Sequence, residues 1–154
     1  VDAPSSLPAW AVAGAAEQII DNYVDNALGV SDAGTTIAVV ALPVAPLGVG
    51  ERAGAEIHVL DRGPGMTAEQ RQRAFDRFWR GGTTAGGSGL GLAIVAQLVR
   101  ASGGTAALRA RDGGGTDAMA SLEGAVLGWD DADGDAQRVS RRGAWFRRRR
   151  RRTS

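Results

Sequence analysis

Three short segments of this 154-residue chain carry residue types that do chemistry. The first is Asp21-Asn22-Tyr23-Val24-Asp25-Asn26. Its two asparagines are four apart, so on a helix both amides point the same way. Asparagine is a poor choice inside a helix unless its side chain finds a partner. Amide oxygens of this kind suit Mg²⁺, which takes one or two protein oxygens and completes its shell with water and phosphate. A solvated helix face is the plainer alternative. The second segment is Asp61-Arg62-Gly63-Pro64-Gly65-Met66. A carboxylate at the end of a buried strand can accept a hydrogen bond from an exocyclic amine, and the glycines let backbone pass close to a flat base. A simple aspartate-containing turn is the alternative. The third is Gly86-Gly87-Ser88-Gly89-Leu90-Gly91-Leu92, opening a helix. Free N–H groups and the helix dipole make such a start a natural phosphate site. It is not a Walker loop, since no Gly-Lys-Ser/Thr follows, and no strand directly precedes it as a Rossmann unit requires.

The elements that must position these segments follow from periodicity. Residues Pro4 to Pro8 read as an extended lead-in, and Trp10 to Ala13 as a short apolar strand. From Ala15 the apolar residues Ile19, Ile20, Tyr23, Val24, Ala27 and Leu28 fall at helical spacing, ending near Gly29. Thr35 to Leu42 and Ala55 to Leu60 read as strands, joined by a Pro/Gly-rich hairpin loop. Ala68 to Phe78 has helical character in one or two short pieces, and Gly81 to Gly89 reads as a mobile loop. Leu90 to Ser102 is a second amphipathic helix; Thr105 to Ala110 and Thr116 to Leu122 are strands around the turn Asp112 to Gly115. Short connections between consecutive strands predict an α+β fold, a two-layer sandwich with a mixed, mostly antiparallel sheet and helices on one face. The expected organisation is one domain over 1–124 and an unstructured acidic-then-arginine-rich tail over 125–154.

Composition narrows the function classes. With no cysteine, disulfides and thiolate metal sites are excluded. No apolar run approaches the roughly 18 residues that span a bilayer, so the chain itself should be soluble. A net charge of +1 conceals an acidic stretch, Asp130 to Asp135, followed by six arginines at 147–152. Such a block reads first as a solvated tail; contact with acidic lipid or nucleic acid are the alternatives. The acidic stretch fails as a calcium loop, because placing Gly134 at the sixth position puts Trp129 and Ser140 where acidic ligands belong. The single histidine, His58, lies mid-strand and reads as a structural residue.

Taken together, Asp-Asn-Tyr-Val-Asp-Asn-Ala from Asp21, Asp-Arg-Gly-Pro-Gly-Met from Asp61, Arg-Ala-Phe-Asp-Arg-Phe-Trp-Arg from Arg73 and Gly-Ser-Gly-Leu-Gly-Leu-Ala-Ile-Val from Gly87 resemble, in this order, the N, G1, F and G2 boxes of bacterial sensor histidine kinases. These belong to the ATPase superfamily shared with gyrase, Hsp90 and MutL. The resemblance covers about Trp10 to Leu122, and the Phe-Asp-Arg-Phe-Trp-Arg segment points to the histidine kinases within the superfamily. It implies a C-terminal ATP-binding catalytic domain that binds ATP and Mg²⁺ and donates the γ-phosphate to a histidine in two-component signalling. Asn26 matches the Mg²⁺-coordinating asparagine, with Asn22 the other asparagine of that box. Asp61 matches the adenine-binding aspartate, with Gly63 and Gly65 shaping its pocket. Phe75 and Phe78 match aromatics that anchor a mobile ATP lid running from about Met66 to Ser88. Gly87, Gly89, Leu90 and Gly91 match the loop around the phosphates, and Thr116 a glycine–threonine motif beneath the nucleotide.

The chain departs from this pattern at Gly29 and Val30, where the family often has a basic residue and then an aromatic or histidine. Arg77 or Arg80 of the lid is the expected substitute cation. Because His58 lacks phosphoacceptor surroundings, the acceptor histidine is expected on a separate dimerisation segment. The partners implied are that segment, a response regulator and a second copy in a homodimeric parent, with the domain on the cytoplasmic face of the inner membrane. Three other readings compete: a nucleotide-sensing interaction module with impaired catalysis, a serine-kinase anti-sigma factor, and a nucleic-acid binder led by the arginine tail. The lid aromatics argue against the second, and the third lacks any base-reading element.

Overall fold

The computed structural model describes residues 9–45, 53–81, 88–123, 137–139 and 145–147. Helix α1 spans Ala15–Val30 and is followed by strands β1 (Ala38–Val44) and β2 (Gly54–Leu60). Helix α2 (Ala68–Arg73) and helix α3 (Gly91–Ala101) come next, then strands β3 (Thr105–Ala110) and β4 (Thr116–Leu122). The strands form one sheet in the order β1-β2-β4-β3. Every ladder among these described strands is antiparallel. The fold is therefore the expected α+β sandwich, with the sheet more uniformly antiparallel than the mixed one anticipated. Two short strands, β5 (Gln137–Val139) and β6 (Trp145–Arg147), pair antiparallel with each other. The rest of the 125–154 segment, with the arginine run beyond Arg147, lies outside the described residues.

Alternation explains which sheet face holds the helices. Ala55, Ile57 and Val59 of β2 and Ala118, Ala120 and Leu122 of β4 are buried at every second position. Helix α1 brings Ile19 and Tyr23 against this surface, and α3 brings Val95 and Val99. Alanines at 118 and 120 keep the sheet surface low, which gives the large helix residues room. Each fully buried side chain such as Ile19, Val59 or Val95 contributes about 1.5–3 kcal/mol through removal from water. Tyr23 also donates its hydroxyl to the carbonyl of Met119 at 2.9 Å, tying α1 to β4. Burial raises the Tyr23 pKa far above its ordinary value, and the nearby charge of Asp117 adds to the shift.

The opposite sheet face carries His58. Its Nδ1 lies 2.9 Å from Asp117 Oδ1 and its Nε2 3.3 Å from Glu56 Oε2, so both ring nitrogens are engaged within the fold. No helix among the described residues is long and apolar enough to cross a membrane.

Several element boundaries differ from expectation, and two of them have a clear local cause. Trp10 to Ala13 is not a strand: Trp10 N donates to Glu123 O, but Ala15 N then turns back to Val12 O through the left-handed Gly14. Strand β1 begins at Ala38 rather than Thr35, because the Thr35 amide and hydroxyl both bond to Asp32 O and close a turn instead.

Candidate functional site

A cavity of about 510 Å³ opens between α1, the C-terminal end of β2, the α2 region and the start of α3. All three chemistry-bearing segments reach it: Asn22 and Asn26 from α1, Asp61 and Gly65 after β2, and Gly89, Leu90 and Gly91 at the start of α3. Thr116 closes it from β4, and Arg80 is the one cationic side chain among the described lining residues.

Asp61 is 5% exposed and stands where β2 ends. Its Oδ1 accepts hydrogen bonds from the backbone N–H of Gly63 at 2.8 Å and of Thr116 at 3.0 Å. Oδ2 has no hydrogen-bond partner among the described residues, and the residue lines the cavity. The carboxylate is thus oriented through one oxygen and leaves the other as an acceptor. The Asp61 main chain is fixed as well: its N–H donates to Thr116 O at 3.0 Å, and its carbonyl accepts from the Arg111 guanidinium.

The paired asparagines are oriented by the helix that carries them. Asn22 Nδ2 donates to Gln18 O at 2.7 Å, and Asn26 Nδ2 donates to Asn22 O at 2.8 Å. These bonds to the preceding turn occupy the NH₂ ends and leave the Oδ1 atoms as free acceptors. Gly91 lies close to this pair: a Cβ there would sit 2.8 Å from Asn22 Oδ1. A side chain there would have to push the Asn22 amide aside.

Between these two walls runs the segment from Met66 to Ser88, of which 82–87 lie outside the described residues; Gly87 is among them. Helix α2 begins with a reciprocal capping box, in which Thr67 and Gln70 each bond the other's backbone N–H. Gln70, which the sequence motifs had not marked, also lines the cavity, as do Met66 and Trp79 from the motifs at Asp61 and Arg73. Ala74, just after α2, is buried and lines the cavity.

Several expected site residues lie away from the cavity wall. Gly63 acts through its backbone N–H on Asp61. Phe75 and Arg77 do not line the cavity, whereas Arg80 does. Phe78, the other residue expected to anchor the lid, is 71% exposed, on a backbone with φ 63°. That segment is held by main chain instead, since Phe78 N donates to Gly89 O at 2.9 Å. Gly29 and Val30, the two departures, both line the cavity and bring no charge to it.

The donor set fits a hard cation that shares its shell with a bound polyanion. The free Oδ1 atoms of Asn22 and Asn26 are neutral oxygens, and no group of three His, Cys, Asp or Glu among the described residues could hold a metal alone. Mg²⁺ is such an ion, since it keeps several waters and shares ligands with phosphate.

An antiparallel sheet under two helices, with a glycine-rich helix start facing paired asparagines and a buried aspartate, defines a nucleotide-binding ATPase-type domain. Residues 11–125 match the family described as "Histidine kinase-, DNA gyrase B-, and HSP90-like ATPase", and the chain belongs to that family. Its relatives are sensor kinases. It is 41% identical over 106 residues to the sensor-type histidine kinase PrrB of Mycobacterium tuberculosis, covering 68% of this chain and 22% of PrrB. It is 32% identical over 136 residues to the sensor-like histidine kinase SenX3 of the same species, covering 84% of this chain and 31% of SenX3. The chain thus spans about a fifth to a third of these relatives. Among solved structures, the mycobacterial sensor histidine kinase MprB matches with a TM-score of 0.63 and 30% identity, over 80% of this chain and 81% of that one. The ATP-binding domain of PrrB from M. tuberculosis matches with a TM-score of 0.55 and 29% identity, over 82% of each.

Proposed function

We propose that this domain binds Mg-ATP and donates the γ-phosphate to a histidine on a separate dimerisation segment, as the catalytic part of a two-component sensor kinase. The observation that carries the reading is Asp61: a buried carboxylate on the cavity wall, held through Oδ1 by two backbone amides, with Oδ2 unpartnered among the described residues. An acceptor so placed suits the exocyclic amine of adenine. Asn26, with Asn22 beside it, faces the cation, and the backbone N–H groups at Gly89 and Gly91 face the phosphates, while that of Leu90 donates to Ser88 Oγ at 3.3 Å. Arg80 supplies the positive charge that Gly29 and Val30 do not.

Bound Mg-ATP supplies the transferable phosphoryl group and a cation that neutralises its charge. The chain contributes positioning and fixed dipoles, which is most of what phosphoryl transfer needs. The acceptor imidazole is a good nucleophile at neutral pH when uncharged. Its nitrogen forms the new N–P bond as the bond from the γ-phosphorus to the bridging oxygen breaks, and that electron pair leaves with ADP. The ring proton departs to solvent or to a carboxylate beside the acceptor. His58 is unsuited to the acceptor role, because both of its nitrogens are held by carboxylates on the far sheet face.

The partners proposed are the acceptor segment, a response regulator and a second copy of the parent chain, with the domain on the cytoplasmic face of the inner membrane. No specific nucleic acid is proposed; the arginine tail is assigned to solvent or acidic lipid. Calorimetric titration with ATP and Mg²⁺, followed by mixing with a dimerisation fragment bearing the acceptor histidine, tests the reading. Saturable binding and phosphohistidine formation are expected. Binding without phosphohistidine would favour a nucleotide-sensing module, and no binding up to millimolar ATP would overturn both.

A further inference from the structure

The hydrogen bonds around Asp61 depart from those of a regular ladder, and the departure assigns a role to Arg111. Strands β2 and β4 pair antiparallel up to Leu60 opposite Asp117, which puts Asp61 opposite Thr116. In an antiparallel sheet every second facing pair exchanges two bonds, each N–H donating to the other carbonyl. One of them is present: Asp61 N donates to Thr116 O at 3.0 Å. The reciprocal bond is missing, because Thr116 N donates instead to the Asp61 carboxylate Oδ1 at 3.0 Å. The side chain has taken the donor that the main-chain carbonyl would otherwise receive.

That leaves the Asp61 carbonyl in need of a donor in a tightly packed place. A Cβ on Gly115 would sit only 2.2 Å from this oxygen. Buried carbonyls without partners are costly, so the arrangement persists only if something replaces the lost bond. The Arg111 guanidinium does so, donating from Nη1 to Asp61 O. Arg111 is held in turn by the glycine turn it opens: its N–H donates to Gly115 O and its carbonyl accepts from Gly114 N. Gly113, Gly114 and Gly115 all have positive φ, so this turn folds tightly enough to bring position 111 back over the end of β2.

We infer that Arg111 is a positioning residue for base recognition, which holds the Asp61 carbonyl so that the Thr116 amide is free to orient the carboxylate. Two hydrogen-bond arrangements compete for one N–H. With Arg111 in place the Thr116 amide serves the carboxylate, and Oδ2 faces the cavity in a fixed direction. Without it, the Thr116 amide returns to the Asp61 carbonyl and completes the ladder, and the carboxylate keeps only the Gly63 amide. The Thr116 amide and the Asp61 carbonyl each keep a partner either way, so removing Arg111 should disturb selectivity far more than stability. The inference rests on the reading of Asp61 as the acceptor for an exocyclic amine.

The test compares the full chain with its Arg111→Met and Arg111→Lys variants, titrated with Mg-ATP and Mg-ITP, which carries a carbonyl where adenine has its amine. Arg111→Met should weaken ATP binding about tenfold, the scale of one weakened charge-assisted bond, and leave ITP binding within about twofold. Arg111→Lys, which keeps a donor, should recover part of the ATP preference. Equal losses for ATP and ITP, or an unchanged ATP affinity in Arg111→Met, would overturn the inference. A second arm needs no nucleotide: the amide proton resonance of Thr116 should move in Arg111→Met while the thermal midpoint stays within a few degrees. A Thr116 resonance like that of the parent chain, or general unfolding, also counts against it. If the parent chain binds neither nucleotide, the reading of Asp61 fails, and the resonance arm alone then decides whether Arg111 sets the hydrogen-bond arrangement.

Discussion

At Asp61, a single atom separates a structural residue from a recognising one. Oδ1 is committed to the protein, and on the function proposed above Oδ2 carries the selectivity for adenine. Asp61→Asn tests this directly. An amide oxygen can keep the Gly63 and Thr116 bonds, but then its NH₂ faces the adenine amine, donor against donor. We expect at least a tenfold loss of ATP affinity by calorimetry, with a circular dichroism spectrum like that of the parent chain. The two candidate lid cations should separate in the same way. Arg80 lines the cavity and Arg77 does not, so Arg80→Ala should lower ATP affinity or the rate of transfer to an acceptor fragment several-fold. Arg77→Ala should change either by less than twofold in the same assays; equal effects would remove the distinction. The motif residues Asn22, Asn26, Asp61 and Gly91 were legible in the sequence because their types are unusual for where they sit. Arg111 was not, because its role arises from a ladder bond diverted between strands more than fifty residues apart in sequence.

At the scale of the element, the glycine turn between β3 and β4 does more than reverse the chain. Gly115 adopts φ 92° and leaves no room for a side chain against the carbonyl of Asp61. Gly115→Ala combines a strained backbone with a steric clash at the site, so we expect a loss of about 1–3 kcal/mol in urea unfolding, together with weakened ATP binding. A neutral result would mean that the turn can move away without disturbing β2. The elements themselves were read well wherever a clear period ran unbroken, as in α1, β2, α3, β3 and β4. Where boundaries shifted, a local side chain or a left-handed glycine captured the backbone first, at Thr35 and at Gly14. The exposed ring of Phe78 was equally illegible, since an aromatic in an amphipathic stretch gives no sign that its own φ will be positive.

At the scale of the whole molecule, among the described residues the helix layer and the sheet are joined by one buried polar contact, Tyr23 to the Met119 carbonyl. Tyr23→Phe removes that bond and should cost about 1 kcal/mol at neutral pH. The pH dependence has a definite sign. The folded pKa of Tyr23 is raised by burial, so between the unfolded value of about 10 and the higher folded value the native state binds more protons than the unfolded chain. Stability should hold below pH 10 and fall as pH rises beyond it, and Tyr23→Phe should flatten that fall in chemical denaturation at pH 9 to 11. An equal slope in the variant would assign the alkaline loss to other groups.

The bond from Trp10 N to Glu123 O, 2.8 Å long, brings the two ends of the folded unit together. A domain whose ends meet is topologically a closed loop, and the place where it is cut matters little to its packing. A circular permutant that joins residue 123 to residue 9 by a short glycine linker and opens between β1 and β2 should therefore retain the sheet and the cavity. In a longer protein the same bond would make a single pivot, about which the domain could swing as one body while its nucleotide site kept its shape.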